Sequence, residues 1–225
     1  MKFTFVTLFP NLIEPYFHDS ILKRAIESNF ISYEFYNPRD FTTNKHKKVD
    51  EQMVGGGAGM LLTCQPLFDC LDEIKSKNAD AYIVFPLAAA KPFRQNDAKR
   101  LAKKKNIVFV SGRYEGIDER VIEKYANEVF SIGEFILTGG ELPSLVMADA
   151  ISRNVEKVLG NADSLDVESY ENNLLEAPSF AKPEIFQKLS VVKEFLKGNH
   201  SKISDLKIQM SKCKTKYYRP NKEKR

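Results

Sequence analysis

Two stretches of this chain combine glycine, arginine and acid at spacings that suit ligand binding better than plain turns. Ser111–Arg120 reads SGRYEGIDER, and Ser131–Ser144 reads SIGEFILTGGELPS. Each follows a short run with strand character, Ile107–Val110 before the first and Glu128–Phe130 before the second. Open α/β sheets bind small ligands in loops at the carboxyl ends of neighbouring strands. Neither block contains the Lys-Ser/Thr pair that grips a nucleoside triphosphate. The expected ligand is therefore one held mainly through main-chain groups.

Around these blocks lie residues with two readings each. Gly55–Gly59 (GGGAG) either lets backbone approach a flat or anionic ligand closely or forms a plain flexible loop. Asp50 either accepts from a nucleobase N–H or caps that loop. Arg113 and Glu115, bracketed by Gly112 and Gly116, form an internal ion pair or contact ligand. Asp118 is placed to cap the next helix. Phe135–Leu137, between Gly133 and Gly139-Gly140, is either a hairpin strand or an apolar pocket for a purine ring. The three histidines, His18, His46 and His200, lack metal spacing, and no Ser-His-Asp pattern stands out.

The elements that must position these residues alternate through the first 160 positions. Phe3–Phe9, Tyr33–Tyr36, Ala81–Phe85 and Ile107–Val110 read as buried strands. Helices are expected over 17–26, from Pro66 to about Ile74, over Asp97–Lys104, over Asp118–Tyr125 and over Leu142–Val158. Strand–helix alternation with continuously apolar strands predicts an α/β fold, a mainly parallel sheet with helices on both faces. After Gly160 the pattern changes. A polar, acidic stretch reads as a linker, and a Lys-rich helical remainder follows.

At 225 residues, with 43% hydrophobic and 28% charged, the chain has material for a real core. No apolar run approaches a membrane span, and residues 1–10 read as a strand and not as an export signal. The three cysteines, Cys64, Cys70 and Cys213, are odd in number, as expected of idle thiols in a reducing cytoplasm. The net charge of +4 conceals an asymmetry. Residues 182–225 hold thirteen Lys/Arg and four Asp/Glu, a balance of +9, so residues 1–181 carry 4 − 9 = −5. A basic tail with Tyr217, Tyr218 and Arg219 fits either an RNA contact or a solvated helical surface.

Taken together these blocks resemble one family, the bacterial tRNA (guanine-N1)-methyltransferases of the trefoil-knotted (SPOUT) superfamily. The segments that carry the resemblance are TLFP (7–10), NPRDFT (37–42), GGGAGM (55–60), SGRYEGIDERV (111–121) and SIGEFILTGGELP (131–143). ADAISRNVEKVLGN (148–161), ESY (168–170), LLEAPSFAKPE (174–184) and KGNH (197–200) continue it in the family's order. The resemblance implies a trefoil-knotted α/β domain over 1–160, a linker over 161–172 and a small all-α tRNA-binding domain over 173–225. It also implies a cytoplasmic homodimer with its active site at the subunit interface. That dimer would use S-adenosylmethionine, with Mg²⁺ whose ligands are unknown, to methylate N1 of guanosine 37 when another guanosine precedes it.

Carried over by position, the family's cofactor loops fall on Phe85–Ala90, Gly112–Gly116 and Ile132–Gly140. The implied contacts are Phe85, Leu87, Gly112, Gly116, Ser131, Ile132, Gly133, Glu134, Phe135, Ile136, Leu137, Gly139, Gly140 and Pro143. His46, Asp50, Gly55, Gly59, Arg113 and Glu115 match positions for the target guanosine. Glu168 matches the general base and Arg153 its electrostatic partner, with Glu171 a less favoured stand-in. The chain departs from the family in several places: Glu168 replaces Asp, Leu87–Ala90 replaces Ser-Pro-Gln-Gly, Phe85 lacks a hydroxyl, and Leu206-Lys207 replaces Trp-Arg. The rival readings are a methyltransferase for another RNA base, a catalytically silent RNA-binding factor and a nucleotide-binding domain.

Overall fold

The computed structural model describes residues 1–160, 168–170 and 173–220. They belong to two compact units, Met1–Gly160 and Asn161–Arg225.

The first unit is built on a five-stranded sheet in which every pairing is parallel. Its strands are β1 (Lys2–Val6), β2 (Ser32–Tyr36), β5 (Tyr82–Pro86), β6 (Asn106–Val110) and β7 (Glu128–Phe130), in the order β2-β1-β6-β5-β7. A separate two-stranded antiparallel ribbon joins β3 (Asp50–Glu51) to β4 (Leu61–Leu62). Side chains alternate across the sheet, as the period of two requires. Phe3, Phe5, Val84, Ile107 and Phe109 pack on one side with α1 (Ser20–Glu27), α3 (Gln95–Leu101) and α5 (Glu141–Ser152). Val6, Ile83, Phe85, Val108 and Val110 pack on the other with α2 (Cys64–Lys77) and α4 (Glu119–Tyr125). Each fully buried Phe or Val contributes about 1.5–3 kcal/mol relative to exposure. Helices do cover both faces.

Several boundaries differ from the sequence reading, for local reasons. The helix expected over 17–26 divides into a 3₁₀ turn, Glu14–His18, and α1, because Asp19 accepts from the Ser20 N–H at 2.6 Å and starts the helix afresh. The helix expected to reach Val158 ends at Ser152. There the Asn154 side chain donates to the Ala150 carbonyl, and Lys157 takes a positive φ of 68°. Phe135–Leu137 forms no strand and stands exposed.

In the second unit, α6 (His200–Tyr218) is the main element, preceded by a 3₁₀ turn at Lys193–Leu196. A short hairpin, β8 (Ile185–Phe186) with β9 (Leu189–Ser190), accompanies them. The asparagine side chain of Asn199 caps α6 by accepting from the Lys202 N–H. Of the linker expected over 161–172, residues 161–167 and 171–172, Glu171 among them, lie outside the described residues.

Candidate active site

Strands β6, β5 and β7 are adjacent and parallel, so the loops that follow them emerge at one edge of the sheet. Main-chain hydrogen bonds tie the three loops to one another. The Leu87 N–H donates to the Phe130 carbonyl at 2.8 Å, and the Phe93 N–H to the Ser131 carbonyl at 2.8 Å. The Ser131 N–H donates to the Lys91 carbonyl at 2.9 Å, and the Gly140 N–H to the Gly112 carbonyl at 2.8 Å. The last contact requires glycine. A Cβ at Gly140 would lie 2.7 Å from the Gly112 nitrogen and 2.8 Å from the Ser111 Cα. The result is a cradle walled largely by backbone.

The residues matched to cofactor contacts divide by exposure. Phe85 is fully buried in the core beneath α2 and α4, so its ring is a packing element and only its main chain faces the loop end. Leu87, Gly112, Gly116, Ile132, Gly133 and Gly139 are half-buried, and Ser131 and Gly140 are buried. Ser131 closes its own turn: its hydroxyl donates to the Gly133 carbonyl at 2.9 Å. Glu134, Phe135, Ile136 and Leu137 are exposed, and Ile136 is 83% so. The Phe135 ring lies over Gly133, where a Cβ would fall 2.1 Å from it. Pro143 sits in the first turn of α5, where its missing N–H loses no intrahelical partner.

Beneath the cradle the structure corrects one sequence reading. Arg113 does not pair with Glu115. Its Nε lies 2.9 Å from Glu141 Oε2, a buried contact misaligned for a hydrogen bond. Its Nη1 donates to the Thr138 carbonyl at 3.2 Å, and its guanidinium lies 4.5 Å from the centre of the Phe9 ring. Glu141 also accepts from the Thr7 hydroxyl at 2.8 Å. Its place in the first turn of α5 suits a negative charge. Glu141 and Thr7 were both missed. The available signal was an acid opening a mostly apolar helix directly after two glycines.

Glu115 instead turns toward the glycine-rich loop. A Cβ at Gly59, whose φ is +84°, would fall 2.6 Å from the Glu115 side chain, and the Glu115 N–H donates to the Met60 carbonyl at 3.0 Å. Two of the residues matched to the target guanosine are thereby brought together. Asp50, half-buried on β3 opposite Leu62, lines a shallow depression of about 210 Å³ with Thr42, Asn44, Lys48, Thr63 and Gln65. His46 lies in an exposed turn whose Asn44 side chain accepts from the His46 N–H. Gly55 is exposed with a φ of +93°. Asp118 caps α4 as expected, and hydrogen bonds from Arg120 hold its carboxyl well below the usual range.

Arg153 caps the C-terminal end of α5, with its N–H donating to the Asp149 carbonyl. Burial raises the Asp149 pKa, and the Arg153 charge and a hydrogen bond from Tyr16 (3.5 Å) only partly offset that. Asp149 and Tyr16 also escaped the sequence reading. Glu168 belongs to the second unit and is half-buried at the start of the 168–170 stretch. Among the described residues, no group of three or more His, Cys, Asp or Glu is placed to hold a metal ion.

Residues 1–225 match the model of the family described as tRNA (Guanine-1)-methyltransferase TrmD. The chain is 66% identical over 220 residues to a Sulfurimonas denitrificans protein named tRNA (guanine-N(1)-)-methyltransferase, covering 98% of this chain and 95% of that one. A Sulfurovum relative of the same name is 66% identical over 221 residues, covering 98% and 97%. One from Campylobacter curvus is 63% identical over 221 residues, covering 98% and 94%.

Proposed function

Because the chain belongs to the tRNA (guanine-1)-methyltransferase family, we propose that it methylates N1 of guanosine 37 in tRNA, beside the anticodon, when a guanosine precedes it. The observation that carries this reading is the backbone-walled cradle at the ends of β6, β5 and β7, joined by Gly140 and Gly112. A main-chain cradle with few fixed side-chain donors suits S-adenosylmethionine, which offers an adenine edge, a ribose and an amino acid to amides and carbonyls. The loops assigned to it are Phe85–Ala90, Gly112–Gly116 and Ile132–Gly140. When bound, S-adenosylmethionine supplies a methyl group already activated by its sulfonium charge.

N1 of guanine carries a proton near neutral pH and is a poor nucleophile until that proton leaves. In this reading the Glu168 carboxylate takes the proton, a contribution of about 10²–10⁴-fold for a positioned base. The Arg153 guanidinium steadies the negative charge that develops on O6. Glu115, Gly59, Asp50, Gly55 and His46 are assigned to the target guanosine. Arg113, held by Glu141, supports the loop from beneath. The residues described offer no cluster suited to Mg²⁺, and no step here passes through it.

The same proposal includes a homodimer, a trefoil knot and a cytoplasmic setting. The dimer is supported by apolar side chains left exposed along α5 and nearby: Leu142 (54%), Val146 (43%), Leu12 and Tyr16. The knot is supported by membership of the family. Among the described residues, no helix is long and apolar enough to cross a membrane. The three-part division at 1–160, 161–172 and 173–225 belongs to the proposal as well.

The test is transfer of labelled methyl from S-adenosylmethionine to transcribed tRNA, followed by mapping of the modified base. Label at N1 of guanosine 37, lost when the preceding guanosine is replaced, is the expected result. Label on another base, or none, overturns the reading.

A further inference from the structure

Glu168 is followed by a segment several of whose partners lie on one face of α6. The main chain of Leu175 is held at both ends: its N–H donates to Thr215 Oγ1 at 2.8 Å, and its carbonyl accepts from the Ser211 hydroxyl. Thr215 Oγ1 donates in turn to the Ser211 carbonyl at 2.8 Å. Farther along the helix, Arg219 Nη2 donates to the Tyr170 hydroxyl at 3.2 Å, and the guanidinium lies 4.7 Å from the centre of the Tyr170 ring. Residues 211, 215 and 219 recur at intervals of four, which lines them up on one face.

The segment is also closed on itself. The Tyr170 N–H donates to the Leu174 carbonyl at 2.6 Å, and the Glu176 N–H to the Ser169 hydroxyl at 3.1 Å. Tyr170 and Asn173 adopt positive φ of 81° and 60°. For non-glycine residues that conformation costs about 1–3 kcal/mol each and persists only where the surroundings over-determine it. Around Tyr170 these are the Leu174 carbonyl and the Arg219 guanidinium. Ser211 is buried although it lies on a helix whose other faces are mostly exposed and lysine-rich. Arg219, which composition alone groups with the basic tail, is turned onto Tyr170.

We propose that Arg219, with Ser211 and Thr215, is a positioning residue for the methyl transfer: through Tyr170 and Leu175 it fixes the segment that begins at Glu168, and so fixes where the base stands. This rests on the assignment of Glu168 as the base. It gives the C-terminal helix a second task beside contacting tRNA, namely holding the base from behind.

The experiment measures single-turnover methyl transfer by the full-length chain at saturating tRNA and S-adenosylmethionine, with both affinities and thermal unfolding measured on the same preparations. Arg219→Ala should slow transfer about 10- to 100-fold, the scale of a misplacement near 1 Å, with both affinities unchanged. Tyr170→Phe keeps the ring beneath the guanidinium and should retain most of the rate. Arg219→Lys, which lacks the planar fork, should not rescue it. Combined with Glu168→Gln, Arg219→Ala should cause no further loss. If Arg219→Ala unfolds the unit, Thr215→Val, which removes only the hydroxyl that holds Leu175, is read in the same way. An unchanged rate in Arg219→Ala beside a slow Glu168→Gln overturns the positioning role alone. Weakened tRNA binding with an unchanged saturated rate makes Arg219 an RNA contact and also overturns it. A wild-type rate in Glu168→Gln removes the base assignment, and the positioning role with it.

Discussion

The cradle of the first unit and residues 168–170 and 173–176 of the second are held by contrasting means. The cradle is main chain bonded to main chain, with glycine where two backbones meet at Gly140 and Gly112. The segment is main chain and ring bonded largely to side chains: two hydroxyls on α6 and the guanidinium of its C-cap residue. Backbone recognition tolerates changes of side chain, which explains how Ala88–Ala90 can stand where the family has Pro-Gln-Gly. A segment held by side chains depends on their identity. On the proposed reading, the methyl donor is gripped by the part of the protein least sensitive to side-chain substitution, and the base is aimed by the part most sensitive to it.

Substitutions sharpen that contrast, beginning with the largest effect. Glu141→Ala leaves the Arg113 guanidinium and the Thr7 hydroxyl without their carboxylate beneath the cradle. It should lower stability by about 3–5 kcal/mol, the cost of breaking a buried pair from one side, as read from denaturant unfolding. Gly140→Ala drives a methyl group into the Ser111–Gly112 backbone and should cost about 1–3 kcal/mol. Calorimetry should show weaker S-adenosylmethionine binding in the same variant.

Glu128→Gln acts at the start of the edge strand β7. Burial alone would raise the Glu128 pKa, but hydrogen bonds from Arg100, Lys91 and Tyr82 outweigh it and bring the pKa down to about 2. A lowered folded-state pKa contributes stability above the unfolded value, and that stability is lost as pH falls. The variant should be less stable than the parent by about 1–2 kcal/mol at neutral pH. The difference should shrink between pH 4.5 and 2, as followed by unfolding at several pH values. The smallest effect is expected from Ala89→Ser. It changes a side chain in a turn that contributes through its backbone, so S-adenosylmethionine affinity should stay near that of the parent chain.

The sheet was legible because most of its strands are short, continuously apolar runs, and β6 buries every residue from Asn106 to Val110. The two-residue strands β3 and β4 leave no periodicity to read. The glycine blocks located the cradle, since close backbone approach demands that residue type locally. The pairing of Arg113 was not legible. Glu115 stands two positions away and Glu141 lies twenty-eight positions on, and only the fold decides between them. The same holds for Thr7 with Glu141, separated by 134 positions. The basic tail read as an RNA surface or a solvated helix, and neither reading foresaw that Ser211, Thr215 and Arg219 engage the segment after Glu168. Serine and threonine inside a lysine-rich helix carry no sign of their acceptors until the fold supplies them.

The most direct test of a main-chain grip on the methyl donor combined with a carboxylate base in a separate segment is to measure both functions in Glu168→Gln. S-adenosylmethionine binding by calorimetry should match the parent chain, while single-turnover transfer to tRNA should fall by about 10²-fold or more. Transfer at the parent rate, or loss of binding together with transfer, would contradict it.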